Sequence, residues 1–423
     1  MPPENKIDSV QPGKNIYANL TILNLCIVAS LGLLMRSKVI FDMPWIDYNR
    51  LIDTHGKFAF SGWAALSLLS LFVFEIRGEF YKKRIYKVLL GLIFLCSWTT
   101  LFTNPFQSLR KIADYISIAY IVITYIFAIL FSRDVLKTDA GRTVKLLSIS
   151  ALSSLVLSSA GVWILNYLFA VHSFNSILYR DAMFGYLHLQ YNGFFTLAVF
   201  ALIFNKIGGN ITPHAEKSVY RFALLLTLSV LPSMFLTFLW HQATLSLHIV
   251  SLIGAALLAL SLIWFVLSAS SLRNELNKVR KPIRYMIVFS MLAFSTKLLL
   301  QCLTVSDTLN IMVFGNRSII MGFLHLVFLG FVSLFIIAYY AQIGLLKTEN
   351  SFTRIALLVF TVGIIVNETL LLIQGFGTIM VTGSSMLLWY LWAAGILLVL
   401  GALLIAGART TAYLASLRAT AGH

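Results

Sequence analysis

Five histidines stand toward one edge of long apolar runs: His55, His188, His241, His248 and His325. A neutral imidazole is a good ligand for haem iron, copper and non-haem iron. Inside an apolar helix a histidine is costly, and it usually faces a bundle interior or a cofactor. Two imidazoles on different helices at equal depth can clamp one haem from both faces. For any single histidine, a hydrogen bond to a neighbouring helix or a place in the headgroup layer is the commoner role. Five at a similar depth favour ligation, with His248 the borderline member. His172 and His214 fall in loops and His423 ends the chain, so none of these three is assigned a role. Two charges also interrupt apolar runs, Lys297 and Glu368. Each lies on the order of 20 Å from the same end of its helix at 1.5 Å per residue. An unpaired charge there costs at least about 2.5 kcal/mol, so a Lys297–Glu368 pair is expected. A proton relay or a haem-propionate contact is the functional alternative for Lys297.

The elements that position these groups follow from composition. The chain has 423 residues, 59% hydrophobic and 11% charged. A soluble domain carries about a quarter charged residues, so lipid is the natural solvent. The net charge of +16 sits in short loops between apolar runs, a topological pattern that excludes a nucleic-acid footprint. Spans of roughly 20 apolar residues are expected at Tyr17–Met35, His55–Glu75, Tyr86–Phe102, Asp114–Phe131, Val144–Ala170, Met183–Phe204, Val219–His241, Leu247–Ala269, Tyr285–Thr304, Ser318–Ile343, Thr353–Gln374 and Met386–Ala406. The whole chain, 1–423, is then one all-α transmembrane domain with a short N-terminus (1–16), a C-terminal tail (408–423) and no obvious repeat. Lys and Arg crowd the loops after spans two (Arg77, Lys82, Lys83, Arg84), four and eight. By the positive-inside rule both termini are cytoplasmic and the histidines lie near the outer face. The first outer loop, with Arg36, Lys38 and Arg50 offset by Asp42, Asp47 and Asp53, is the exception. The first apolar run lacks a cleavage site and reads as a retained span. Cys26, Cys96 and Cys302 lie inside apolar runs, which disfavours a disulfide framework or a cysteine metal site. Trp45, Trp98 and Trp389 fit interface belts.

The residues around the histidines resemble the catalytic subunit of the haem-copper oxidase superfamily, nearest its nitric oxide reductase branch. Span two reads Thr54-His55-Gly56-Lys57-Phe58, and span ten reads Gly322-Phe323-Leu324-His325-Leu326-Val327-Phe328-Leu329-Gly330. The second is similar to the family's His-x-His-Leu-x-Phe-x-Gly segment. Span six reads His188-Leu189-Gln190-Tyr191-Asn192-Gly193, and span seven ends Trp240-His241. The resemblance implies a twelve-helix bundle in a bacterial inner membrane, with one low-spin haem b between His55 and His325. It implies a second metal, copper or non-haem iron, at His188 and His241, helped by His248 or Tyr191. Electron transfer, or binding or reduction of a diatomic gas, is the implied activity. A quinol or cytochrome donor and respiratory-complex subunits are the implied partners. The chain departs from the family pattern at three places. Phe323 stands where the family has the proximal ligand of the high-spin haem, Asn192 stands for a Glu, and His241 stands alone for a His pair. Gln190, Tyr191 and Asn192 are expected beside His188, as ligand contacts or as polar glue between helices.

Two other classes compete. A twelve-helix secondary transporter fits the span count, but the spans show few Gly/Pro breaks, Pro232 being the clearest. A non-catalytic relative that handles haem or metal, or senses gas, fits the loss of the proximal histidine. Colour separates the first from a haem protein, and steady-state gas consumption separates the second from a reductase.

Overall fold

The structure is a computed structural model that describes residues 12–76, 78–209, 211–241, 244–380 and 384–421. Lys6 and Asp8 of the N-terminus, Arg77 and His423 lie outside the described residues. Among those described, twelve helices are long and apolar enough to cross a membrane: α1 (Gly13–Ile40), α2 (Tyr48–Glu75), α3 (Arg84–Thr103), α4 (Gln107–Leu136), α5 (Arg142–Ala170), α6 (Ser176–Ile207), α7 (Pro213–Phe238), α8 (Leu245–Lys278), α9 (Lys281–Leu303), α10 (Arg317–Gln342), α11 (Ser351–Thr378) and α12 (Ser385–Leu414). The protein is an all-α polytopic membrane protein. Only helices or closed barrels can satisfy every backbone group in lipid.

Most helices overrun their apolar stretches. The eighth run ends near Ala269, yet α8 continues to Lys278. Its extra turns carry Arg273, Glu275 and Lys278, good helix formers whose long stems carry charge out to water. At the other extreme α7 stops at Phe238, short of His241. Pro232 lies near its end and the last turn tightens to 3-10 geometry over Phe235–Phe238, as expected where a proline removes a donor. Gly254 of α8 permits the approach here, since a Cβ on it would meet the Ser233 backbone nitrogen at 2.4 Å.

Spans α2 and α6 are the most enclosed, with 72% and 89% of their apolar windows buried, and α10 packs against both. Neighbours α11 and α12, α1 and α12, α7 and α8, and α3 and α4 wrap around them. These three central spans share a feature that hydropathy alone does not reveal. Each contains a π-helical segment: Ala59–Ala65, Leu189–Phe195 and Leu326–Ser333. The segments recur every fourth span, and each follows a histidine closely. Each carries an aromatic-x-Gly-aromatic run: Phe60-Ser61-Gly62-Trp63, Tyr191-Asn192-Gly193-Phe194 and Phe328-Leu329-Gly330-Phe331.

A π turn widens the helix and takes carbonyls out of the ordinary ladder. In lipid each such carbonyl needs another donor. Asn24 Nδ2 of α1 donates to the Gly62 carbonyl at 2.6 Å. The Tyr191 carbonyl accepts from Thr196 Oγ1 at 2.5 Å and from Lys297 Nζ of α9 at 3.4 Å. Ser290 Oγ of α9 donates to the Phe331 carbonyl at 2.8 Å. Trp63 Nε1 bonds Ser333 Oγ at 2.7 Å, joining the π turns of α2 and α10 directly. Where the three turns meet, Phe60, Phe195 and Phe328 form a triangle with ring centroids 4.2–5.7 Å apart. That spacing is favourable for tilted and edge-to-face aromatic pairs.

Candidate functional site

The Asp47 side chain caps the start of α2 by accepting from the Asn49 and Arg50 backbone nitrogens. The helix therefore begins seven residues before His55, which does not open the span as the sequence suggested. At 1.5 Å per residue, His55, His325 and His188 lie about 10, 12 and 18 Å from the N-terminal ends of α2, α10 and α6. The shared depth expected of them holds better for the first two.

The His55 ring lies against α1, where a Cβ on Gly32 would meet its Cε1 at 3.4 Å. Its Nδ1 is buried without a hydrogen-bond partner, and the Val28 backbone is adjacent. On α10, His325 Nδ1 lies 2.8 Å from the Met321 carbonyl. That nitrogen must carry a proton and donate it, so in the neutral ring Nε2 keeps its lone pair. Holding one ring nitrogen on a carbonyl is how a protein fixes the tautomer of a ligating histidine. His55 and His325 are within electrostatic reach of one another, and Arg36 is within reach of both. Every residue from Arg317 to His325 keeps part of its surface accessible. Two neutral imidazoles, one with an orphaned buried nitrogen and one with its second nitrogen free, are a donor set that fits axial ligation of one haem.

Arg36 does not lie in the first outer loop, where the charge pattern of the sequence places it. Helix α1 runs on to Ile40, so Arg36 lies within it. Its guanidinium donates to the Leu391 carbonyl and, at 2.5 Å, to Asn367 Oδ1. Asn367 Nδ2 in turn donates to Glu368 Oε1 at 2.9 Å. The expected Lys297–Glu368 pair does not form. Glu368 faces this Arg36–Asn367 arrangement, whereas Lys297 Nζ donates to Thr196 Oγ1 at 2.7 Å and to the Tyr191 carbonyl. The two charges sit on helices that touch, but each is turned to a different neighbour. A spacing argument fixes depth along a helix, and here rotation about the helix axis decided the partners.

His188 is fully buried. Its Nε2 lies 3.0 Å from the Val230 carbonyl and 3.2 Å from Ser233 Oγ, while Asn192 Nδ2 lies 3.1 Å from Nδ1. A ring that donates from Nε2 and accepts at Nδ1 satisfies all of these. Tyr191 packs on it at 5.6 Å between centroids, and Phe323 packs edge-on to Tyr191 at 5.4 Å. Gln190 Nε2 donates to Ser158 Oγ of α5 at 2.8 Å, a bond between helices.

His241 and His248 stand elsewhere. His241 Nε2 lies 3.0 Å from Asp181 Oδ2, and Trp240 Nε1 donates to the other carboxylate oxygen at 2.9 Å. Arg180 stacks over the Trp240 ring at 3.7 Å. His248 Nε2 lies 2.9 Å from Asp307 Oδ1. Among the described residues no group of three or more His, Cys, Asp or Glu side chains gathers as a metal would require. His188, His241 and His248 therefore belong to no such group among the described residues. Each already has other partners.

No protein-family model matches the chain, and no curated protein is similar to it in sequence. Among solved structures it is similar to a haem-copper terminal oxidase dimer described by cryo-EM, in a study concerned with that enzyme's catalytic mechanism. The match covers 97% of this chain and 84% of that one at a TM-score of 0.64, with 13% identical residues. At that identity the likeness speaks to the fold alone. The twelve spans form a haem-copper-oxidase-type membrane bundle.

Proposed function

We propose that the protein is a b-type haem protein of the membrane, in which His55 and His325 would hold one low-spin haem for electron transfer. The observation that carries this is the pair of imidazoles on α2 and α10, within reach of each other and each with a ring nitrogen unpaired. The haem would supply one-electron chemistry, and the protein would supply ligation, burial and charge. Met321 orients His325 through its carbonyl, and Gly32 leaves room for the His55 ring. Arg36 brings positive charge toward the same place and would offset the acidic edge of the group.

The chain has no Cys-x-x-Cys-His run, so electrons are taken to come from a quinol or a separate cytochrome. Respiratory-complex subunits are the proposed partners, and a bacterial inner membrane with both termini cytoplasmic is the proposed setting. The test is a reduced-minus-oxidised visible spectrum of the purified protein, followed by haem extraction. A low-spin b-type signal is expected. It should vanish in His55→Ala and in His325→Ala and persist in His188→Ala. Persistence of the signal in both of the first two variants, or its absence from wild type expressed with ample haem, refutes the assignment.

A further inference from the structure

We propose that the half of the bundle around His188, built from α6, α7, α9 and the facing side of α10, is a closed protein core that takes no second cofactor. The protein then binds no diatomic gas at iron there. For the one haem it counts, this rests on the proposed function; the packing argument stands apart from it.

Three observations carry the proposal. The first is the contrast between the two sites, which share only α10. The Arg317–His325 turn keeps accessible surface along its whole length. Around His188 the surroundings are shut: His188, Thr196, Lys297, Phe294 and Phe331 have no accessible surface. The second is that the ligand atoms are spent. Both His188 nitrogens are hydrogen-bonded, and binding a metal through either would strip a partner from a buried polar group, which costs about 1–3 kcal/mol. Phe323 carries no donor atom, and its ring is seated on Tyr191.

The third is the Lys297 amine and the rings around it. Lys297 Nζ lies 5.7–5.8 Å from the ring centroids of Tyr191, Phe294 and Phe331. Among the described residues no carboxylate pairs with it, and it is within electrostatic reach of His188. Aromatic rings and an amine thus fill the volume between α6, α9 and α10.

The test uses the purified full chain. Haem and copper are quantified per chain, the reduced protein is exposed to carbon monoxide, and copper is titrated into wild type, His188→Ala and His188→Asn. One haem, no carbon-monoxide-induced change in the Soret band, and no copper binding that depends on His188 are expected. Any copper that persists equally in both variants lies elsewhere and leaves the proposal standing. A second haem, a carbon monoxide complex, or stoichiometric copper lost in both variants overturns it. Should the protein contain no haem at all, the haem assignment fails, while the copper titration still decides whether the His188 core is closed.

Discussion

The three glycines of the π turns make a graded test of how these helices pack. A Cβ added at Gly193 would stand 2.3 Å from Ser154 Cβ and 2.5 Å from its Oγ. The obstacle is a Cβ on the α5 backbone, which no rotamer change can move, so the helices themselves must part. At Gly62 the added carbon would stand 2.8 Å from Phe58 Cε2, the edge of a fully buried ring. At Gly330 it would stand 3.3 Å from Ala293 Cβ, which a few tenths of an ångström relieves. Overpacking costs about 1–3 kcal/mol, while Gly→Ala within a helix returns about 1 kcal/mol. Gly193→Ala should therefore lose about 2 kcal/mol net, near the top of that range. Gly62→Ala should lose less, and Gly330→Ala should stay within about 1 kcal/mol of wild type. Thermal unfolding in detergent, followed by tryptophan fluorescence, reads the order. Ser154→Gly should partly restore Gly193→Ala, because the two changes share one contact and need not add. If Gly193→Ala is as stable as Gly330→Ala, or Ser154→Gly gives no rescue, the close approach of α5 and α6 is wrong.

Other outcomes follow from the same contacts. Asn24→Leu leaves the Gly62 carbonyl and Trp98 Nε1 without their shared partner. It should cost about 1–3 kcal/mol and shift Trp98 emission, and an unchanged melting temperature would count against the cap. Arg409 is 4% exposed and donates to Asn19 Oδ1, Asn15 Oδ1 and the Leu345 carbonyl. Arg409→Met should destabilise by several times about 1 kcal/mol and expose the α1–α12 seam to proteolysis. Lys297→Met removes a buried amine that has no carboxylate partner but bonds Thr196 Oγ1 and the Tyr191 carbonyl. It should leave the low-spin spectrum intact and cost about 1 kcal/mol, since Thr196 still bonds the Tyr191 carbonyl, and loss of the haem signal would show that Lys297 serves the His55–His325 site.

The twelve spans were legible because lipid imposes a run of apolar residues on every helix, and all twelve stand in order among the described residues. The helix ends were not, because Asp47 starts α2 from a polar stretch and α1 carries Arg36 as an internal residue. The pairing of His55 with His325 was an expectation from residue type, depth and the family resemblance, and the structure brings the two within electrostatic reach. The fates of His241 and His248 depended on Asp181 and Asp307, short-range partners that an apolar-run argument ignores. Arg36, Asn367 and Gly32 were missed because a helix face is invisible until its neighbour is known. The π turns did leave a signal. An aromatic-x-Gly-aromatic run follows a histidine on spans two, six and ten, and aligning the central spans on Gly62, Gly193 and Gly330 would have exposed it.

The side chains that cap the three π turns also set an order of events during synthesis. Asn24 precedes Gly62 by 38 residues and Ser290 precedes Phe331 by 41, so each of those caps is already in the membrane when its turn arrives. Lys297 follows Tyr191 by 106 residues. At a translation rate of about 5–20 residues per second, α6 waits roughly 5–20 s for that partner. Thr196, one turn away on the same helix, bonds the Tyr191 carbonyl at once. Its hydroxyl serves as a placeholder that lets the most enclosed span of the bundle reside in lipid until the ninth arrives.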